Sequence, residues 1–248
     1  MGAVYILWWR EVRKYSRSRP QVIASLGQPL LYLLVLGYGL DPVFQKAGSG
    51  SYFQFIAPGI IGMVILYSGT FSGTALLWDR QFGVLREILV APIPWMQIMI
   101  GRTLGGATVA MCQGAITFLI CLAAGFRPIK WSTAPLAMLL MLLMALVFTA
   151  LGVSIGSSLK SMQGFQLVMN FVVMPMFFLS GALFPLSHVP TVLAVGTHID
   201  PLSYGVDGLR DVLVAKSHFG LQLDLIVLTL AAAALFAIGS WRFSKIEI

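Results

Sequence analysis

Charge is what this sequence has least of. Only 10% of its 248 residues are Asp, Glu, Lys or Arg, against 58% hydrophobic, where a soluble domain carries about a quarter charged residues and under half apolar. The mean hydropathy of +0.88 excludes a water-facing globule and, for the same reason, low-hydropathy disorder. Cysteine is scarce as well. Cys112 and Cys121 are too few for a disulfide framework, and at about 100° per residue their separation sets them on opposite sides of a helix as packing residues. Histidine is limited to His188, His198 and His218, whose spacing matches no compact metal-ligand motif, so no metal site is expected. No Ser/His/Asp or Cys/His grouping has spacing that argues for catalysis. No Gly-Lys dipeptide occurs, which excludes the phosphate-cradling G-x-x-x-x-G-K-[ST] loop. The chain is therefore expected to be no enzyme and to bind no cofactor directly.

What it has in abundance is long apolar sequence. Six charge-free runs cover approximately residues 22–40, 55–77, 103–125, 134–157, 165–185 and 225–241, each near the roughly 20 residues a helix needs to cross a bilayer. Continuous runs such as Leu139-Leu140-Met141-Leu142-Leu143-Met144 do not alternate as barrel strands do. The expected fold class is an all-α membrane protein of six transmembrane helices, forming one transmembrane domain over residues 1–248. No Asp, Glu, Lys, Arg or His lies inside these runs. Ion-coupled transporters and proton relays ordinarily need such groups at membrane depth, so energy has to come from elsewhere, or none is used. If ATP supplies it, a partner binds the ATP.

Charge also sets orientation. Six spans put both termini on one side. That side holds Arg10, Arg13, Lys14, Arg17, Arg19, Arg80, Arg86, Arg102, Lys160, Arg242 and Lys245, against Glu11, Asp79, Glu87 and Glu247. The opposite side balances Lys46, Arg127, Lys130, Arg210 and Lys216 with Asp41, Asp200, Asp207, Asp211 and Asp224. The whole excess of +7 falls on the terminal side, and the positive-inside rule makes both termini cytoplasmic. The first run is too long for a signal-peptide core and is expected to stay in the mature protein. Ahead of it, residues 1–20 place Tyr5, Trp8, Trp9 and Val12 near one side of a helix, with most of the basic residues elsewhere. This reads as an interfacial helix along the inner leaflet; the alternative is a solvated basic tail.

Two polar segments interrupt the spans. In the cytoplasmic loop, residues 78–102, Phe82, Leu85 and Leu89 form a helical stripe that ends before Pro92 and Pro94. It is either a lever joined to two spans or a loop resting on lipid. In the external stretch, residues 186–222, Ser203 is placed to cap a helix with Asp207 near its positive end. Asp207, Arg210 and Asp211 stand at spacings that permit a local ion pair, structural or gating. Within the spans, Pro175 predicts a kink usable as a hinge. Gly69/Gly73 and Gly152/Gly156 permit close helix packing.

The segment Trp78 to Gly106 resembles the loop of type-2 ABC transporter permeases through Asp79-Arg80, Gly83, Leu85, Leu89, Ala91-Pro92 and Gly101-Arg102. Residues 177–190 (FFLSGALFPLSHVP) and 200–213 (DPLSYGVDGLRDVL) resemble that family's fifth span and following external stretch, and residues 28–40 its first span. The resemblance implies a half-transporter: two six-span subunits, the second a copy or a paralogue, each resting on a separate ATPase subunit that holds ATP and Mg. It implies ATPase coupling through Asp79, Arg80, Phe82, Leu85, Arg86, Glu87 and Leu89. It also implies an external gate of short re-entrant helices at Asp207, Arg210 and Asp211, and a path between subunits lined by spans one, two and five. Tyr67, Ser68, Phe71, Gln166, Asn170, Phe171 and Phe178 are the path candidates, although aromatic residues at helical spacing also serve as packing. A path without fixed charge implies export of an amphipathic drug-like or lipid-linked compound across a plasma or bacterial inner membrane. The alternatives are export of a polysaccharide or lipid-linked oligosaccharide and, from another class, an ATP-independent scramblase or membrane scaffold. No nucleic-acid partner is expected; membrane lipid is.

Replacing Leu85 and Leu89 with charged residues is expected to strip the ATPase subunit from the permease during purification. Unchanged retention and transport would remove both residues from the contact.

Overall fold

The apolar runs fold as helices because a backbone inside lipid can satisfy its N–H and C=O groups only within the segment or a closed sheet. A computed structural model describes residues 2–46, 51–83, 94–159, 161–186 and 190–243, with no strand among the described residues. Helix α1 spans Gly2–Arg17, α2 Arg19–Gly39, α3 Asp41–Lys46, α4 Tyr52–Phe71, α5 Thr74–Gln81 and α6 Trp95–Ala123. A single 3-10 turn at Trp131–Thr133 leads into α7, Ala134–Ser158. Then come α8, Met162–Leu179; α9, Thr191–Ile199; α10, Pro201–Val214; and α11, Leu221–Phe243.

Local chemistry sets the boundaries. Ser161 caps α8 by accepting the Gly164 N–H at 3.1 Å. Pro201 occupies the first turn of α10, where its missing N–H costs nothing, and the helix stops at Ala215 in the left-handed region. The cap of α10 differs from the expected one: Asp200 accepts the Leu202 N–H at 2.9 Å, and Ser203 is buried inside the helix. Pro201 explains this, because it fixes the first helical residue and leaves the position before it as the cap.

Among the described residues, five helical stretches are long and apolar enough to cross a membrane: Tyr52–Gln81, Trp95–Ala123, Trp131–Ser158, Met162–Leu179 and Leu221–Arg242. In α2 the apolar part is Pro29–Gly39. Several helices outrun the charge-free segments read from sequence. Helix α5 takes in Asp79 and Arg80, α6 begins before Arg102, and α11 takes in Asp224 and Arg242. Helical hydrogen bonding does not require an apolar side chain, so the helix continues where the charge has a partner, as for Asp79 and Arg102, or packs against a neighbouring helix, as Asp224 does beside Gly208 of α10.

Helix α4 is the core, with Ile56, Ile60, Ile61, Ile65 and Leu66 fully buried. It is flanked by α2, α6, α7 and α10. The tightest crossing joins the α4–α5 turn to α7. A β-carbon on Gly73 would meet the Gly152 carbonyl, and one on Gly152 would meet the carbonyl of Thr70. Gly69 likewise lies against Phe148 and Thr149. The paired small residues are therefore packing residues, as the sequence suggests. Cys112 is exposed and Cys121 buried, on opposite sides of α6.

A methyl group at this crossing has no space, because both neighbours are backbone. Gly152→Ala is expected to lower thermal stability in detergent by roughly 1–3 kcal/mol, the range for overpacking. Gly39→Ala, with nothing within 4 Å of the new β-carbon, is expected to leave it unchanged or slightly raised. Equal effects of the two substitutions would refute the packing account.

Candidate functional site

The end of the bundle that holds the chain termini is organised by four charged residues. Arg102, near the start of α6, has a side chain only 3% exposed. Its guanidinium donates to the Asp79 carboxylate at the end of α5. The same Asp79 oxygen accepts from Arg10 of α1 at 2.5 Å. Glu11 lies 3.3 Å from Arg10 and 3.8 Å from Arg102. Two carboxylates and two guanidinium groups thus close a neutral junction among α1, α5 and α6. Neighbouring Arg80 reaches the other way and donates to the Leu159 carbonyl, just past α7, at 3.1 Å. The adjacent Asp79-Arg80 pair therefore fixes the end of α5 to α1 and α6 on one side and to α7 on the other.

Glycines put α1 in place. Gly101 and Gly105 on α6 lie one turn apart, and their missing side chains let Leu7, Trp8 and Glu11 settle against the helix. The Trp8 indole donates to the Thr108 hydroxyl at 3.0 Å. Tyr5 and Trp9 remain exposed, whereas Trp8 faces the protein and does not share their side.

Phe82, expected in the coupling segment, is 67% exposed in the turn after α5. It stacks on Trp78 with ring centroids 5.3 Å apart and nearly parallel planes. Leu85, Arg86, Glu87 and Leu89 lie outside the described residues. Arg10 and Glu11 were not among the residues singled out from sequence. Their signal was the matching charges of Asp79 and Arg102 on the same side of the membrane.

Beside this junction a cavity of about 440 Å³ opens between α1, α2, α4, α5 and α6. Tyr67, Ser68 and Phe71 line it from α4, with Met63 and Val64. Glu11, Lys14 and Tyr15 enter from α1, Pro29 from α2, and Val109 and Gln113 from α6. Tyr67 stacks on Phe71 with planes 3° apart, and Phe71 meets Phe165 of α8 edge-on. Of the seven path residues expected from sequence, the second-span three line this cavity. Gln166, Asn170, Phe171 and Phe178 do not; they lie exposed on the outer face of α8. Pro175 lies on the same exposed face within α8. The cavity also departs from the expectation of a path without fixed charge, because α1 folds back and brings Glu11 and Lys14 to its wall.

At the far end of the bundle, the expected local ion pair does not form among the described residues. Arg210 of α10 instead stacks its guanidinium 3.9 Å from the centre of the Phe55 ring. It donates to the Gly181 carbonyl at 3.0 Å and to the Phe55 carbonyl at 3.4 Å. Burial lowers its pKa to about 10, with Asp207 acting in the opposite direction, and it stays a cation at neutral pH. Asp207 accepts the backbone N–H groups of His218 and Phe219 at 2.8–2.9 Å and the Ser217 hydroxyl at 3.2 Å. Asp211, one turn on, makes no ion pair among the described residues. Carbonyls beyond the end of α8 and N–H groups ahead of α11 lack helical partners, and they take up the charges that spacing alone would have paired. Burial pushes the Asp200 carboxyl up to about 7, against the Leu202 N–H and Ser203 hydroxyl it accepts from.

Asp79→Asn leaves Arg102 buried with Glu11 as its only nearby acid among the described residues. The substitution is expected to cost roughly 3 kcal/mol in detergent unfolding, the scale of a broken buried pair. Arg10→Gln, at a more exposed member of the junction, should cost about 1 kcal/mol or less. Reversal of that order would show that Arg102 is not the dependent charge.

The chain is similar in sequence to several known proteins. Nodulation protein J of Rhizobium leguminosarum bv. trifolii is 28% identical over 216 residues, covering 85% of this chain and 81% of that protein. The inner membrane transport permease YadH of Escherichia coli K12 is 26% identical over 210 residues, covering 84% and 81%. The sequence profile of the ABC-2 type transporter matches residues 2–214. With that match running from α1 to the end of α10, the chain belongs to the ABC-2 type transporter family and is a membrane permease subunit of that family.

Proposed function

We propose that the chain is the membrane half of an ATP-driven exporter that moves an amphipathic drug-like or lipid-linked compound out of the cytoplasm or inner leaflet. In this reading both termini are cytoplasmic, α2 joins the five long apolar stretches as the first of six spans, and α9 and α10 dip into the outer leaflet. A separate ATPase subunit binds ATP and Mg, and a second permease copy or paralogue faces the first across the exposed side of α8.

The observation that supports this reading best is the cavity beside the ionic junction. Its volume of about 440 Å³ falls within the range of sites for drug-sized ligands. Its walls are apolar and aromatic along α4 and polar where α1 crosses. Asp79 joins the segment leading to the coupling loop directly to two of the helices around it, α1 and α6, and Arg80 joins that segment to the residue after α7. A push delivered by an ATPase at residues 82–94 would thus reach the walls of the cavity through a few ionic contacts. Arg210 and Asp207 close the other end by holding α10 against α4 and the start of α11. Pro175, which removes one backbone hydrogen bond from α8, gives that helix a place to bend. The cargo biases the two arrangements only through its different affinity for each.

In proteoliposomes holding both subunits, dodecyl-chain dyes carrying positive, negative or no charge are expected to move only with ATP. Val64→Trp, which fills the cavity from α4, should cut that movement about tenfold or more while the two subunits still purify together. Dye movement by the permease without its partner would favour the scramblase reading and overturn this one.

A further inference from the structure

We infer that the cavity prefers an anionic amphiphile, its phosphate or carboxylate head held by Lys14, Tyr15 and Gln113 and its chain lying along Met63, Val64 and Val109. This deepens the proposed function and rests on reading the cavity as the cargo site.

Charge balance carries the first step. Glu11 and Lys14 both line the cavity, so either sign of ligand has a candidate counter-ion. Glu11, however, is already held between Arg10 and Arg102, within a junction whose two acids and two guanidinium groups cancel. Lys14 has no carboxylate within ion-pair distance among the described residues. The charge left uncompensated at the cavity is therefore a single positive one, and a cationic ligand would have to displace an arginine to find a partner.

The second step is a pair of polar groups next to Lys14. The Tyr15 hydroxyl is buried and lies beside the Gln113 side chain. Tyr15 follows Lys14 directly in sequence and lines the same cavity. Gln113, which reaches it from α6, is itself only 5% exposed. Lys14, Tyr15 and Gln113 thus bring one charged and two neutral donors to the cavity, which suits an oxyanion. Met63, Val64, Pro29 and Val109 add apolar contact for a chain, beside Tyr67, Ser68 and Phe71. A cavity of about 440 Å³ accommodates a head group with a single chain rather than an oligosaccharide.

The test uses the purified permease–ATPase complex in a neutral maltoside detergent, with dodecyl phosphate, dodecyltrimethylammonium and inorganic phosphate as calorimetric titrants. Dodecyl phosphate is expected to bind in preference to the ammonium amphiphile, and inorganic phosphate alone to give no measurable heat. Lys14→Gln, at an exposed position that does not disturb folding, should weaken dodecyl phosphate about tenfold, on the scale of a charge-assisted hydrogen bond. Lys14→Arg should restore most of that loss, and Tyr15→Phe should weaken binding several-fold. Equal binding of the two amphiphiles, an unchanged affinity in Lys14→Gln, or binding of inorganic phosphate as tight as that of dodecyl phosphate would overturn the inference. Its failure is separable from failure of the proposed function: ATP-driven movement of all three dyes without charge preference sinks only the anion preference, whereas no ATP-driven movement of any dye sinks the transport reading itself.

Discussion

Burial of the Arg102 guanidinium is the constraint on which the terminal end of the molecule depends. A charge that is nearly inaccessible to water must be compensated where it sits, and Asp79 supplies that compensation from a different helix. Once Asp79 is held there, α5 cannot swing away from α6. Arg10 and Glu11 complete the network, so α1 is fixed across the same place. The cavity is a consequence of this arrangement: its polar wall is the side of α1 that the junction and the bare backbone at Gly101 and Gly105 bring into position.

The two ends of the bundle solve the problem of buried charge differently. At the terminal end acids meet bases, and each ionic contact links separate helices. At the far end Arg210 is satisfied by carbonyls and an aromatic face, while Asp207 is satisfied by backbone N–H groups. Contacts of the second kind hold chain ends and turns that would otherwise carry unmet hydrogen bonds, so they lock local geometry as well as position. Between the two ends the glycine crossing of the α4–α5 turn with α7 leaves almost no freedom to slide. In the proposed transport cycle, movement imposed beside Asp79 and Arg80 would travel through α4 to α7 largely as rigid-body displacement.

Most of the helical architecture was legible from charge-free runs, because a lipid-facing segment has few ways to hide its backbone. The exposure of Tyr5 and Trp9, the packing role of the paired glycines and the membership of Tyr67, Ser68 and Phe71 in one wall could also be read from spacing. Helix ends were read less well. Arg102, Asp79 and Asp224 shorten an apolar run but do not shorten a helix, since a side chain with a partner, or one tucked against a neighbouring helix, leaves the backbone ladder intact. The pairing of Arg210 with Asp207 or Asp211 was plausible on helical spacing alone. It gave way to carbonyl and N–H groups on other elements that no spacing rule lists.

By itself the sequence determined composition-driven properties: that the chain enters a membrane, where its helices run, and which segments carry the charge. These follow from periodicity and transfer free energy, which act residue by residue along the chain. Only the tertiary structure decided which charges meet, that Trp8 turns inward while Trp9 stays out, and that Lys14 and Tyr15 come together with Gln113 at the wall of a cavity. Each of these depends on the approach of helices far apart in sequence, and that approach is set by the absence of side chains at a few glycines and by the cost of leaving a buried guanidinium alone.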